Sequence, residues 1–259
     1  MRELVVSTPP ALIAAVLLIL FGAVTYLSRA FVLRRRDEEA REELAEQARS
    51  LFISVAATFA FFVGFSITVT WGAVTTAQSA VEQQAAAIRQ MVWELNNIPD
   101  RAASADLSGK LRDYVQTAAN DDERYLIRGK TAELPSTAAL DRFENALHAY
   151  TYGPQVPDRA VAPLGAAAAA LEGASATVSA VASRAIPRPL AGLLTIIALL
   201  GCVIVGITTV TYRRPTLAYL WCAIPALSMA VVLALAYPFA LRSGVTLAPL
   251  HAVAASLFG

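Results

Sequence analysis

Four long stretches of this chain carry no charged side chain: residues 11–28, 50–81, 189–212 and 215–241. Apolar character in the first continues past Arg29 to Leu33. The hydrocarbon core of a bilayer needs about 20 apolar helical residues, and all four stretches are long enough. The chain-wide composition follows from them: 56% of residues are hydrophobic and only 16% charged, where a soluble domain carries about a quarter charged. The expected architecture is all-α and polytopic. Four transmembrane helices, at about 11–33, 51–72, 189–212 and 216–240, enclose a helical insert between the second and the third.

The first stretch is a signal anchor rather than a cleaved signal peptide. It is too long for an h-region, and Arg34, Arg35 and Arg36 follow it where small residues would mark cleavage. Short arginine-rich loops face the cytoplasm. That places "RRRDEEAREELAEQAR" after the first span, and "YRRP" with Arg213 and Arg214 between the third and fourth, inside. The termini offer only Arg2 and Arg242, so both termini and residues 73–188 are expected outside. The resulting division is an N-terminal transmembrane helix (1–33), a charged cytoplasmic linker helix (34–50), a second transmembrane helix (51–72), an extramembrane helical domain (73–188), the third and fourth transmembrane helices (189–241) and a tail (242–259). Tyr26, Trp71, Tyr212 and Tyr219 lie near span ends, as interfacial anchors do, and Pro225 predicts a kink in the fourth span.

Between Ser50 and Ile98 no proline interrupts the helical pattern, so the second span is expected to run on out of the membrane as a rod of about 73 Å at ~1.5 Å per residue. Along it Val74, Val81, Ile88 and Leu95 recur every seven residues, with Ala77, Gln84 and Met91 at the partner position. This is a heptad seam with one polar interruption, suited to packing along a helix of this chain or of another copy. Asp106 or Ser104 is the expected cap of a helix ending near Arg128, where Gly129 suits the stop. A further helix is expected over 137–151, then the turn-rich "YGPQVPDRAVAP" and an alanine-rich helix over 164–186. The acids of "NDDER" (120–124) lack the alternating spacing and glycine of a calcium loop and read as a solvated face.

The second span holds the pattern that most needs a function. Projected at 3.6 residues per turn, one face of 50–72 reads Ser54, Thr58, Phe61, Phe65, Thr68 and Gly72. It continues as Thr76, Ser79, Gln83, Ala87 and Gln90. Serine and threonine in a membrane helix also bond their own i−4 carbonyls or join helices. The alternative is a pore wall, with hydroxyls and amides lining wet vestibules and stacked phenyl rings from several copies forming an apolar neck that gates by dewetting.

"FFVGFSITVTW" resembles the second transmembrane helix of bestrophins, through Phe61, Gly64, Phe65, Thr68 and Trp71. The four-span layout and the tail "YPFALRSGVTLAPL" (237–250) resemble a bacterial bestrophin-like group, largely of unknown function. The resemblance implies a homo-oligomer, pentameric by analogy, that conducts small inorganic ions, anions in true bestrophins. The resemblance also implies five second helices around the axis, with a neck at Phe61 and Phe65, Ala57 one turn inward and Gly64 among the lining residues. An abundance of alanine, and of arginine over lysine, suits a GC-rich bacterial genome, hence a bacterial plasma membrane.

Other chemistry is thin. No Ser-His-Asp set, phosphate loop or metal cluster is visible, so neither an enzyme nor a cofactor is expected. Cys202 and Cys222 lie inside the third and fourth spans as small apolar fillers, and His148 and His251 are isolated. A net charge of +1 leaves no footprint for nucleic acid. A transporter would show ionisable groups at mid-membrane depth, and only Arg29 lies within a span, at an end from which it can snorkel. The second reading is a non-conducting structural or signalling membrane protein, whose extramembrane helices bind a partner through the Val74/Ala77/Val81/Ile88/Met91/Leu95 seam.

Overall fold

In hydrocarbon an unpaired peptide group costs several kcal/mol, so a segment that enters a bilayer must satisfy its own backbone. The chain meets that demand with helices. The structure is a computed structural model that describes residues 8–35, 37–153, 158–184, 188–213, 215–240 and 244–258. Arg2, Arg36, Arg214, Arg242, Pro187 and residues 154–157 of the turn-rich loop lie outside the described residues. Among the described residues there is no strand. The elements are α1 (Pro10–Leu33), α2 (Glu38–Asn96), α3 (Arg101–Asn120), α4 (Glu123–Arg128), a 3-10 turn (Thr131–Glu133), α5 (Pro135–Thr151), α6 (Asp158–Ser183), α7 (Arg188–Thr208), α8 (Thr216–Trp221), α9 (Ala223–Leu235) and α10 (Ala248–Phe258). Five stretches, not four, are long and apolar enough to cross a membrane: α1, α2, Ala160–Ser183, Pro189–Thr208 and Thr216–Leu235.

Several boundaries differ from expectation for local reasons. The charged linker is not a separate helix but the first turns of α2, which runs unbroken for 59 residues, about 88 Å at ~1.5 Å per residue. The fourth apolar stretch is split at Cys222 into α8 and α9. Pro225 has no N–H to donate to the Trp221 carbonyl, so the ladder is interrupted there. The cap of α3 is Asp100, whose side chain accepts from the backbone N–H of Ala102 and Ala103. Ser104 instead donates to the Leu95 carbonyl at 2.9 Å, and Asp106 pairs with Lys110. That helix ends at Asn120, and Gly129, with φ of 69°, terminates α4 in the left-handed region where glycine carries no Cβ penalty. The C-terminal tail carries α10, which buries Leu250 and Val253 and packs on α3.

The chain divides into two compact units, residues 1–72 with 185–236, and residues 73–184 with 237–259. In the first, α1 packs against α7 and α9. Its core joins Phe21, Phe59, Val63, Leu194, Ile197, Cys202, Cys222 and Ala226. Close approach of α7 to α1 depends on Gly206, where an added Cβ would fall 2.8 Å from Cβ of Ser28 and closer still to the Thr25 carbonyl oxygen. Arg29, near the end of the first span, donates through Nε and Nη2 to the carbonyls of Thr209 and Tyr212, at 3.3 and 2.7 Å. A cation thus meets the C-terminal, negative dipole end of α7. Thr25 Oγ1 donates to the Cys202 carbonyl at 3.2 Å and lies 3.2 Å from Cys222 Sγ, tying α1 to both cysteine-bearing segments. Both cysteines are free and buried.

In the second unit the core gathers Leu107, Leu111, Tyr114 and Val115 of α3, Phe143 and Leu147 of α5, and Leu164 and Leu171 of α6, all buried. Asp122, expected on a solvated face, is only 5% exposed. Its carboxylate accepts from the Ser136 backbone N–H at 3.1 Å and from the Ser136 hydroxyl. α5 begins at Leu134, which makes no side-chain cap bond, so Asp122 caps it from 14 residues away. Burial raises the Asp122 carboxyl above the ordinary range, against the lowering by the two Ser136 bonds.

Gly206→Ala is expected to lower thermal stability in detergent, by about 1–3 kcal/mol, the usual cost of overpacking. Gly109→Ala, mid-helix with nothing within 4 Å of the added Cβ, should raise it by about 0.5–1 kcal/mol. Thermal unfolding midpoints of the two variants against wild type test both signs.

A candidate pore-lining helix face

Every one of Ser54, Ala57, Thr58, Phe61, Gly64, Phe65, Thr68 and Gly72 is exposed. They share one side of α2, and Phe61 and Phe65 are 67% and 51% exposed. The other side of the same turns is buried, through Phe59, Val63, Ser66 and Thr70. Partners for that side are named by contacts within the first unit. Phe52 meets Trp221 edge-on with ring centroids 5.4 Å apart, and Val55 lies beside Gly201. Phe62, half-buried, holds the Phe61 ring edge-to-face at 5.5 Å and 80°.

The hydroxyls on this face are internally bonded. Thr58 donates to the Ser54 carbonyl at 2.8 Å and Thr68 to the Gly64 carbonyl at 3.0 Å. Ser66 and Thr70 on the buried side do the same, to Phe62 at 2.7 Å and Ser66 at 2.8 Å. The i−4 bond is therefore common to both faces, and only the surroundings of the hydroxyl lone pairs differ. Nothing within 4 Å would meet a Cβ at Gly64 or Gly72, so packing inside this chain does not account for either glycine. The other apolar helices also expose large side chains: Leu12, Val16, Ile19, Tyr26 and Phe31 on α1, and Leu217, Leu220, Ile224 and Leu227 on α8 and α9. Trp71, Tyr26 and Tyr212 are exposed, whereas Trp221 is packed.

Within the second unit the seam residues Val74, Ala77, Val81, Ile88, Met91 and Leu95 are all buried inside this chain. Of the stripe's continuation, Thr76, Ser79, Gln83 and Gln90 are exposed, but Ala87 is 7% exposed and turns inward. The polar interruption has a partner that no pattern on α2 could announce. Gln84, 4% exposed, donates through Nε2 to the Tyr114 hydroxyl at 2.6 Å. That hydroxyl also meets Ser175, and burial, the largest effect, raises its pKa. The family-like tail docks here too: Val245 N–H donates to the Pro238 carbonyl, and Thr246 N–H to Gln78 Oε1, both at 3.3 Å. Among the described residues no group of three or more His, Cys, Asp or Glu side chains could hold a metal ion.

An all-helical chain with several helices long and apolar enough to span a bilayer, one with a half-polar open face, is by class an α-helical membrane protein. A family model described as the bestrophin-like domain matches residues 15–249, and the chain belongs to that family. A crystal structure of a bacterial bestrophin homologue from Klebsiella pneumoniae superposes with a TM-score of 0.63 at 16% identity, over 92% of this chain and 95% of that one. A point variant of a bestrophin homologue from the same organism gives 0.64 at 16%, over 93% and 96%. A protein described as a membrane protein gives 0.68 at 15%, over 94% and 96%. At these identities the likeness is one of fold. No curated protein matches the chain significantly in sequence.

Tyr114→Phe is expected to cost about 1–3 kcal/mol, because it leaves the buried Gln84 amide without its acceptor. Gln84→Met combined with Tyr114→Phe should recover most of that loss. A double-mutant cycle on thermal stability gives the coupling directly.

Proposed function

We propose that this protein is the subunit of a homo-oligomeric ion channel in a bacterial plasma membrane, with the α2 face from Ser54 to Gly72 lining the pore. The single observation that carries the reading is that face itself. All eight residues are uncovered within the chain, on a helix whose opposite side is packed. A lipid-facing surface needs no serine or threonine, and this face presents Ser54, Thr58 and Thr68 beside its two phenylalanines. In a wet lumen Thr58 and Thr68 exchange bonds with water, while Phe61 and Phe65, one turn apart, contribute to an apolar ring that conducts only when wetted. Family analogy supports a pentamer and anions. The neck bears no charge, so selection rests on dehydration cost and helix-end dipoles.

Four spans serve this arrangement: α1, the 51–72 part of α2, α7, and α8 with α9. The fifth apolar helix, within α6, has a mean hydropathy of 1.3 against 2.0–2.8 for the others. It belongs with 73–188 outside the bilayer, on the side away from the arginine-rich loops. The same division keeps 34–50 as a cytoplasmic extension of α2, 189–241 as the second pair of spans and 242–259 as a tail. The chemistry is conduction rather than catalysis, and no cofactor enters it.

Purified, correctly inserted oligomer in a planar bilayer should carry current, and Phe61→Ala or Phe65→Ala should change its amplitude or gating. Silence from a verified oligomer, or indifference to both substitutions, contradicts the proposal.

A further inference from the structure

Away from the α2 face, a cavity of about 360 Å³ lies within the second unit, between α5 and α6. Glu144, His148 and Tyr152 from the α5 side and Glu172 from α6 contribute its polar groups, while Leu147 and Val161 contribute apolar wall. Glu144 Oε1 is buried and has no hydrogen-bond partner. Burial, then the charges of Glu172 and Asp141, raise the Glu144 carboxyl above the ordinary range. Glu144 and Glu172 take no part in the ion pairs Lys110–Asp106, Lys130–Glu133 and Arg142–Asp113. On α3, which packs against α5, Asp113 is thus already occupied by Arg142. At the same site the rings of His148 and Tyr152 stack with centroids 4.4 Å apart, tilted by 34°.

We infer that this cavity between α5 and α6 binds a small organic ammonium cation with an apolar body. The two carboxylates supply charge-assisted acceptors for the ammonium group, and an aromatic face adds cation–π attraction. Leu147 and Val161 take the hydrocarbon part. The volume lies in the range of small-molecule sites. A bare metal ion fits poorly, since no three ligating side chains converge among the described residues and much of the wall is apolar. The site does not depend on conduction and stands or falls separately from the pore.

The test is calorimetric titration of the full-length protein in detergent with 2-phenylethylammonium chloride, and with neutral 2-phenylethanol for comparison. Saturable binding of the cation is expected, with the alcohol at least about tenfold weaker. Glu144→Gln and Glu172→Gln should each weaken the cation about tenfold. Binding should also weaken from about pH 8 to about pH 5, as the raised Glu144 carboxyl gains a proton. Gly165→Leu fills the cavity from a position whose Cβ meets nothing within 4 Å, and should abolish binding while both carboxylates remain. Equal binding of the alcohol, undiminished binding in Gly165→Leu and Glu144→Gln, or no saturable binding at millimolar cation would overturn the assignment.

Discussion

The account rests on the continuity of α2. Over a few turns a helix with no internal proline keeps close to 100° per residue, so the burial of some side chains fixes the direction of their near neighbours. Once Phe59, Val63, Ser66 and Thr70 are buried in the first unit, Phe61, Phe65 and Thr68 have no freedom to join them. The open face is the geometric complement of the packed one. The same rule operates in the second unit, where burial of Val81, Ile88 and Leu95 leaves Ser79, Gln83 and Gln90 outward.

Much of the fold was legible because its signals are long and local. Uncharged stretches mark the apolar helices, a seven-residue repeat marks the side of α2 that is buried, and Gly129 marks a helix end through its positive φ. Periodicity marked Ser54, Thr58, Phe61, Phe65, Thr68 and Gly72 as one face, all of them exposed, whereas Ala57 and Gly64 came from the family resemblance. What escaped the sequence is what depends on partners far along the chain. Asp122 looks like one acid among several until Ser136 folds back onto it. Gln84 reads as a flaw in the seam until Tyr114 arrives. Glu144 and Glu172 become neighbours only when α5 meets α6. The partners of Arg29 are hidden for the same reason, since the carbonyls that hold it sit some 180 residues away. Ala87 shows the limit of an ideal projection, because a few degrees of drift move an edge residue to the other side.

The span count exposes a different weakness of composition. Alanine raises the mean hydropathy of α6 without supplying much apolar surface, so length and hydropathy together admit five candidates. In α6 the side chains Leu164, Leu171 and Val178 are buried in the second unit, and small residues between them permit close approach.

The central claim is that copies of the 51–72 segment surround a common axis with Phe61 and Phe65 turned toward it. Electron cryo-microscopy of the full-length protein in lipid nanodiscs tests this most directly. The account predicts a symmetric assembly with the second span nearest the axis and both phenyl rings on the lumen. A single protomer, another helix at the axis, or the two rings against acyl chains would contradict it.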